Sequence, residues 1–136
     1  MADAFNFELV SPEKLLLSEQ ITEVVVPGET GYFTVMANHA PTMATLQPGV
    51  ADVKTADGKH DRYVILGGFV DVTPTSCTLL AESAVHVDEV GDGAMIEERI
   101  KAAQAEIDAA VDSQAQTKAE MYLSQLQTLR ASVLPA

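Results

Sequence analysis

At 136 residues with 47% hydrophobic content, the chain can bury one core of ordinary size or a small core with an appendage, and this composition speaks against disorder. The formal charge of −12 opposes binding to nucleic acid and to anionic lipid, both of which need basic surfaces, so the expected partners are proteins. A single cysteine, Cys77, excludes an internal disulfide and a cysteine-cluster metal site and reads as a buried structural thiol.

The longest apolar runs, Leu15-Leu16-Leu17 and Val24-Val25-Val26, fall far short of the roughly 20 residues that span a bilayer, so no direct bilayer insertion is expected. The start, Met1-Ala2-Asp3-Ala4-Phe5, has neither the basic residues nor the apolar stretch of a signal peptide. A cytoplasm-like compartment is the expectation. Charge is unevenly spread: residues 1 to 93 hold fourteen acids against four bases, and the remainder six against four, which predicts two regions of different surface character.

Phe5 to Leu9 alternates apolar and polar residues at the period of a strand with one buried face. Two β-rich runs follow, Lys14 to Leu17 and Ile21 to Val26, the second ended by Pro27-Gly28. Tyr32 to Met36 alternates again, and Gln47-Pro48-Gly49 turns the chain. Val50 to Thr55 and His60 to Leu66 flank Ala56-Asp57-Gly58-Lys59, and an Asp-Gly pair between β-rich runs predicts a hairpin. Phe69 to Thr73 and Cys77 to Val87 complete the set on either side of Pro74-Thr75-Ser76. Many short strands joined by turns predict a sandwich or barrel over residues 1–87.

Residues 88–93, Asp88-Glu89-Val90-Gly91-Asp92-Gly93, have the composition of a linker. Over 94–136 the period changes from two to between three and four. Ile96, Ile100, Ala103, Ile107, Ala110 and Val111 share one helical face, and Ala119, Tyr122, Leu123, Leu126, Leu129 and Val133 share another. The second helix has two possible capping boxes, Ser113-x-x-Gln116 and Thr117-x-x-Glu120, between which the sequence does not choose. A short polar link around Asp112-Ser113-Gln114 predicts an antiparallel helical hairpin.

The motifs that carry common chemistries are absent: no phosphate loop, no G-x-S-x-G elbow, no H-E-x-x-H, no C-x-x-C. His39, His60 and His86 lie in separate segments, and His86-x-Asp88 reads as a solvated strand end in preference to two metal ligands. Gly28, Gly31, Gly67 and Gly68 do not form a dinucleotide-binding pattern. No catalytic residue, metal ligand or cofactor is therefore expected. Two rival functions differ in class. A free-standing β-sandwich ligand-binding module would want an aromatic platform, and the chain has no Trp, three Tyr and four Phe. A small hydrolase would have to assemble Ser83, His86 and Asp88.

One stretch has no simple strand explanation. It runs from Pro27-Gly28 through Gly31-Tyr32-Phe33-Thr34-Val35 and His39-Ala40-Pro41 to Leu46-Gln47-Pro48-Gly49. With Gly67-Gly68-Phe69-Val70-Asp71-Val72 and Leu80-Ala81-Glu82, it resembles the delta/epsilon subunits of F-type ATP synthases over essentially the whole chain. The resemblance implies a β-sandwich followed by an α-helical hairpin, bound to the gamma subunit at the base of the central stalk beside the polar loops of the c-ring. Such a subunit turns with the rotor and couples proton transport to ATP synthesis without catalysing anything. It would lie peripherally at the cytoplasmic face of a bacterial inner membrane.

Carried over by position, Gly31, Tyr32, His39, Ala40 and Pro41 match the region facing the c-ring, and Tyr32 stands where some relatives carry an acid. The bland reading of His39-Ala40-Pro41 is a turn, and the two readings weigh equally. In many bacterial relatives the hairpin can extend along gamma and inhibit ATP hydrolysis, which makes the alpha and beta subunits candidate partners, and in some it binds ATP through Ile/Leu-Asp-x-x-Arg-Ala. Here the stretch reads Met95-Ile96-Glu97-Glu98-Arg99-Ile100, and either alignment, on Glu97 or on Arg99, loses one ligand-type residue. Only Lys118 and Arg130 are basic in residues 113 to 136, which predicts a mainly structural hairpin and weak inhibition.

Overall fold

The computed structural model describes residues 3–91 and 93–133. Nine strands come first: β1 (Phe5–Val10), β2 (Leu15–Gly28), β3 (Gly31–Met36), β4 (Thr42–Leu46), β5 (Gly49–Thr55), β6 (His60–Ile65), β7 (Gly68–Thr73), β8 (Ser76–Ala81) and β9 (Ala84–His86). A 3-10 turn over Val87–Glu89 leads to two helices, α1 (Ala94–Ala109) and α2 (Ser113–Val133). The chain divides into two compact units between Val87 and Asp88.

The β unit is a sandwich folded from one continuous hydrogen-bonded path, and β2 is the strand that joins its layers. Its first half pairs with β1, from Val10 opposite Leu15 to Phe5 opposite Ile21. Its second half pairs with β3 on one side and β5 on the other, after a bulge between Ile21 and Glu23. Bulges bend a strand and raise its twist, which lets one strand serve two layers. The two runs expected at Lys14 to Leu17 and Ile21 to Val26 are therefore one strand of 14 residues. It continues through Pro27 because Pro27 sits opposite Tyr32 while its carbonyl turns outward to accept the Gln47 N–H at 2.9 Å.

The run expected over Cys77 to Val87 is, in contrast, two strands parted at Glu82-Ser83. There β8 ends and β9 turns to the opposite layer to pair with β6. β4 was not expected from the sequence at all, and it pairs along β7 from Thr42 opposite Val72 to Leu46 opposite Gly68.

Alternation decides which side chains form the core. Phe5, Phe7 and Leu9 are buried while Asn6 and Glu8 between them are exposed, and the pattern repeats in Ala51 and Val53, Val70 and Val72, Cys77 and Leu79. Each fully buried large apolar side chain contributes about 1.5–3 kcal/mol. The hairpin between β5 and β6 turns at Asp57-Gly58 as expected. The Thr55 hydroxyl donates to the Asp57 carboxylate, and with the Lys59 backbone N–H it holds that carboxyl below the usual carboxylate range.

In the helical unit Ile96 and Ala103 of α1 and Ala119, Leu126 and Leu129 of α2 are buried, on the expected faces. Val111 is not part of the α1 stripe: the helix ends at Ala109, Ala110 is extended, and Val111 is 94% exposed. Neither expected capping box opens α2. The cap is Asp112, whose Oδ1 accepts the Ala115 N–H at 2.7 Å, satisfying a donor of the first turn.

Candidate functional site

The 31–41 segment combines a strand with a tight turn. Asn38 adopts a left-handed φ of 68°, and its N–H donates to the Pro74 carbonyl at 2.8 Å, tying the turn to the β7–β8 connection. The His39 N–H returns to the Met36 carbonyl at 3.2 Å, its Nδ1–H donates to the Ala40 carbonyl at 2.8 Å, and its ring lies 6.3 Å from that of Phe33. The Thr42 hydroxyl donates to the same Ala40 carbonyl at 2.9 Å. His39 thus shapes the turn, whereas Ala40 and Pro41 remain exposed. Gly31 is exposed at φ 145° with open space where a Cβ would stand.

Tyr32 is half exposed and also structural. Its hydroxyl accepts the Val50 N–H at 3.0 Å, and its ring covers Gly49, where a Cβ would lie 2.3 Å from the Tyr32 hydroxyl. Gly31, Tyr32, Ala40 and Pro41 therefore share one segment with solvent-facing surface, while His39 is partly withdrawn.

A second surface escaped the sequence reading. On the outer face of the β1–β2–β8–β7 layer, Phe69 lies opposite Leu80, Leu80 opposite Val10, and Val10 opposite Leu15. Phe69 is 56% exposed, Leu80 47% and Leu15 53%. Thr45 faces Phe69 from β4, and Met43, two residues away on the same face, is 77% exposed. Scattered apolar residues on a surface need no explanation, but an exposed apolar row crossing four strands, β7, β8, β1 and β2, is a candidate contact surface. The next row on the same face, Asp71, Thr78, Glu8 and Ser18, is polar, with Met43 of β4 at its end opposite Asp71. The signal was in the sequence as the off-phase apolar residue of each strand; only register shows that these residues line up.

The nucleotide candidates are engaged within the hairpin. Arg130 Nη1 stands 2.6 Å from Glu97 Oε1, and Arg99 Nη1 donates to the Tyr122 hydroxyl at 3.4 Å. A shallow groove near the hairpin turn is lined by Ala109, Ala115, Ala119, Tyr122, Glu106 and Lys118, a mostly apolar lining.

His86 is held at β9 by Asp61, 3.2 Å from its Nε2, and by an edge-on Tyr63 ring at 5.1 Å. Among the described residues, no group of three His, Cys, Asp or Glu side chains is placed to hold a metal ion. Cys77 is fully buried, and burial, with the Asp71 charge behind it, pushes its thiol up to about 12.

A sandwich presenting an apolar row, followed by a helical hairpin in which Arg99 and Arg130 are held by Tyr122 and Glu97, is the arrangement of a protein-binding subunit. Residues 4–87 match the family described as ATP synthase, Delta/Epsilon chain, beta-sandwich domain. The chain is 57% identical over 136 residues to the ATP synthase epsilon chain of Brucella anthropi, with all of both chains covered. It is equally similar to the epsilon chain of Brucella canis, 57% identical over the full length of both.

A solved mitochondrial ATP synthase of Euglena gracilis contains a chain that superposes with a TM-score of 0.73 at 25% identity, covering 95% of this chain and 81% of that one. A chain of the Tetrahymena thermophila mitochondrial ATP synthase central stalk and c-ring shares the fold, with a TM-score of 0.71 at 13% identity and 98% of both chains covered. The chain belongs to the ATP synthase delta/epsilon family.

Proposed function

We infer that this chain is a non-catalytic subunit of the central stalk of an ATP synthase, turning with the rotor and linking ion transport to ATP synthesis. The observation that carries the reading is the apolar row from Phe69 through Leu80 and Val10 to Leu15, set on a sandwich whose inner faces are packed. A rotor element must transmit torque without deforming, and dense packing resists deformation. The row fits the gamma subunit, and the exposed Ala40-Pro41 tip fits the polar loops of the c-ring. The free-standing ligand-binding module is not favoured, since the full-length relatives are all subunits of this complex.

No described helix is long and apolar enough to cross a membrane, which suits a peripheral position on the membrane-bound complex. We place it at the cytoplasmic face of a bacterial inner membrane, a reading supported by the similarity to epsilon chains of Brucella. We read the hairpin as structural, on the mutual hold of Glu97 and Arg130, with contact to the alpha and beta subunits giving at most weak inhibition. The deciding experiment is co-elution of the full chain with a bacterial gamma subunit, alone and in the presence of c-ring. Stable binding supports the reading, and failure to bind gamma under conditions where a Brucella epsilon chain binds overturns it.

A further inference from the structure

The apolar row of Phe69, Leu80, Val10 and Leu15 lies where its strands end. β1 stops at Val10 and β8 at Ala81, while β2 starts at Leu15 and β7 at Gly68. From the row the sheet face therefore continues one way only, onto the polar row that holds Asp71 and Glu8, and then to Ser76, Asn6 and Gln20.

Size decides how much of that face a partner must cover. Four strands about 4.8 Å apart make the row roughly 14 Å long, and residues two apart on one strand stand about 7 Å from each other. The row alone is thus a footprint on the order of 100 Å², against the roughly 800 Å² per partner of a stable interface. A protein seated on the row also covers the polar rows beside it.

Those rows differ in how their polar groups are satisfied. Gln20 Nε2 donates to Asn6 Oδ1, and the Thr73 and Ser76 hydroxyls bond each other at 2.7 Å. Glu8 and Asp71 are exposed and, among the described residues, have no basic partner, since Lys54, Lys59, His60, His86 and Arg130 pair with other acids. The strand residues of this face include no Lys, Arg or His. Glu8 stands in a shallow depression lined by Asn6, Ser18, Gln20, Ser76 and Thr78. Water solvates its carboxylate there, and covering it without a counter-charge is strongly unfavourable.

We propose that Glu8 sets the specificity of this face by pairing with a Lys or Arg side chain of the docked gamma subunit, which enters the depression about 7 Å to the side of the apolar row. The pairing rests on the reading of the row as the gamma-binding surface. The surface it fits is an apolar ridge with a base on one flank, and that flank fixes orientation. Turned end for end, the same ridge would carry its base past the strand ends and leave Glu8 buried and unpaired. Asp71, two strands from Glu8 and about 10 Å away, extends the negative edge towards Met43.

The test is calorimetric titration of a bacterial gamma subunit with the full chain and its Glu8→Gln, Glu8→Lys and Asp57→Asn variants, each at low and at high salt. Asp57→Asn removes the same charge in the turn of the β5–β6 hairpin, where an amide oxygen still accepts the bonds from Thr55 and Lys59. Glu8 is exposed, so its variants should melt with the parent. Glu8→Gln is expected to weaken capture of gamma by about tenfold or more and to flatten its salt dependence. Glu8→Lys should abolish measurable capture, and Asp57→Asn should keep the affinity and salt dependence of the parent.

Equal affinity and equal salt dependence in Glu8→Gln and the parent would overturn the pairing and leave the proposed function standing. Equal losses in Glu8→Gln and Asp57→Asn would also overturn it, because the effect is then one of net charge. A parent chain that fails to capture gamma where a Brucella epsilon chain succeeds overturns both.

Discussion

The hydroxyl of Tyr32 accepts the backbone N–H of Val50 at 3.0 Å, so a side chain of β3 reaches across β2 to the start of β5. The ring fills the space that Gly49 leaves open, where a Cβ would meet the Tyr32 hydroxyl at 2.3 Å and Pro27 Cβ at 2.6 Å. Tyr32→Phe is expected to lower stability by about 1 kcal/mol, the net worth of one hydrogen bond. Gly49→Ala should cost more, because ring and proline must both shift. Denaturant unfolding of the two single variants and of Gly49→Ala with Tyr32→Ala checks this. The double variant should lose less than the two single losses added together, since Tyr32→Ala removes one of the clashes.

Gly68 opens β7 at φ 129°, a backbone conformation that side chains rarely adopt, and a Cβ there would lie 2.1 Å from the Leu80 carbonyl oxygen. That oxygen and the Ala81 Cα, 2.9 Å away, are backbone and cannot turn aside. Gly68→Ala is expected to destabilise the β unit by several kcal/mol, on the order of the largest single-substitution effects. Gly58→Ala, at φ 88° with nothing within 4 Å, should cost about 1 kcal/mol. Thermal melts of the two variants side by side test the ordering.

The strands of the sandwich were legible wherever one face is buried and the other is not, as in Phe5 to Leu9 or Val50 to Thr55. β4 was not, because Thr42-Met43-Ala44-Thr45-Leu46 puts an exposed methionine out of phase with a small inward alanine, and alternation then carries no signal. The cap of α2 was missed for a related reason. A capping box pairs a Ser or Thr with a Glu or Gln, whereas Asp112 caps with its carboxylate alone. The candidate segment at Gly31 to Pro41 could be found from its motif, but the double duty of Tyr32 depends on a contact with β5 that no local pattern contains. The apolar row was invisible for the same reason, since its members come from separate strands.

Cys77 is neutral in the fold at any pH near its ordinary value of 9.0, because burial carries its thiol up to about 12. Unfolding exposes it to titrate at the ordinary value. Between about 9 and 12 the unfolded chain binds fewer protons than the folded one, so stability must fall with rising pH, by up to about 1.4 kcal/mol per pH unit. Below pH 9.0 this contribution is constant. Cys77→Ala should flatten the alkaline limb of the stability profile, and the native protein should react with thiol reagents only on unfolding.

Glu97 and Arg99 have partners inside the hairpin, Arg130 at 2.6 Å and Tyr122 at 3.4 Å. A polyphosphate would have to displace the second contact while leaving the Glu97 carboxylate beside it. ATP titrated into the full chain is therefore expected to leave the amide signals of residues 96 to 100 unmoved. Arg130→Ala should change hairpin stability by no more than about 1 kcal/mol, because both members of that pair are nearly half exposed. Saturable shifts at Glu97 and Arg99 would overturn the nucleotide-free reading of the hairpin.

The outer row separates binding from folding in one experiment. Phe69 and Leu80 are directly opposed across β7 and β8, and both are about half exposed, so replacing either with serine removes little buried area. Their neighbours Val70 and Leu79 are fully buried and hold the same strands in register from the inner face. Phe69→Ser and Leu80→Ser should each melt within a few degrees of the parent, whereas Leu79→Ala should lose about 2–5 kcal/mol. If the row is the gamma-binding surface, each serine variant should weaken capture of gamma by about tenfold or more, since truncating a central aromatic or aliphatic anchor commonly costs over 1 kcal/mol of binding. Calorimetric titration of gamma with the three variants reads both effects. Full-strength binding by Phe69→Ser and Leu80→Ser would move the docking surface off this face and leave the Gly31 to Pro41 segment as the contact.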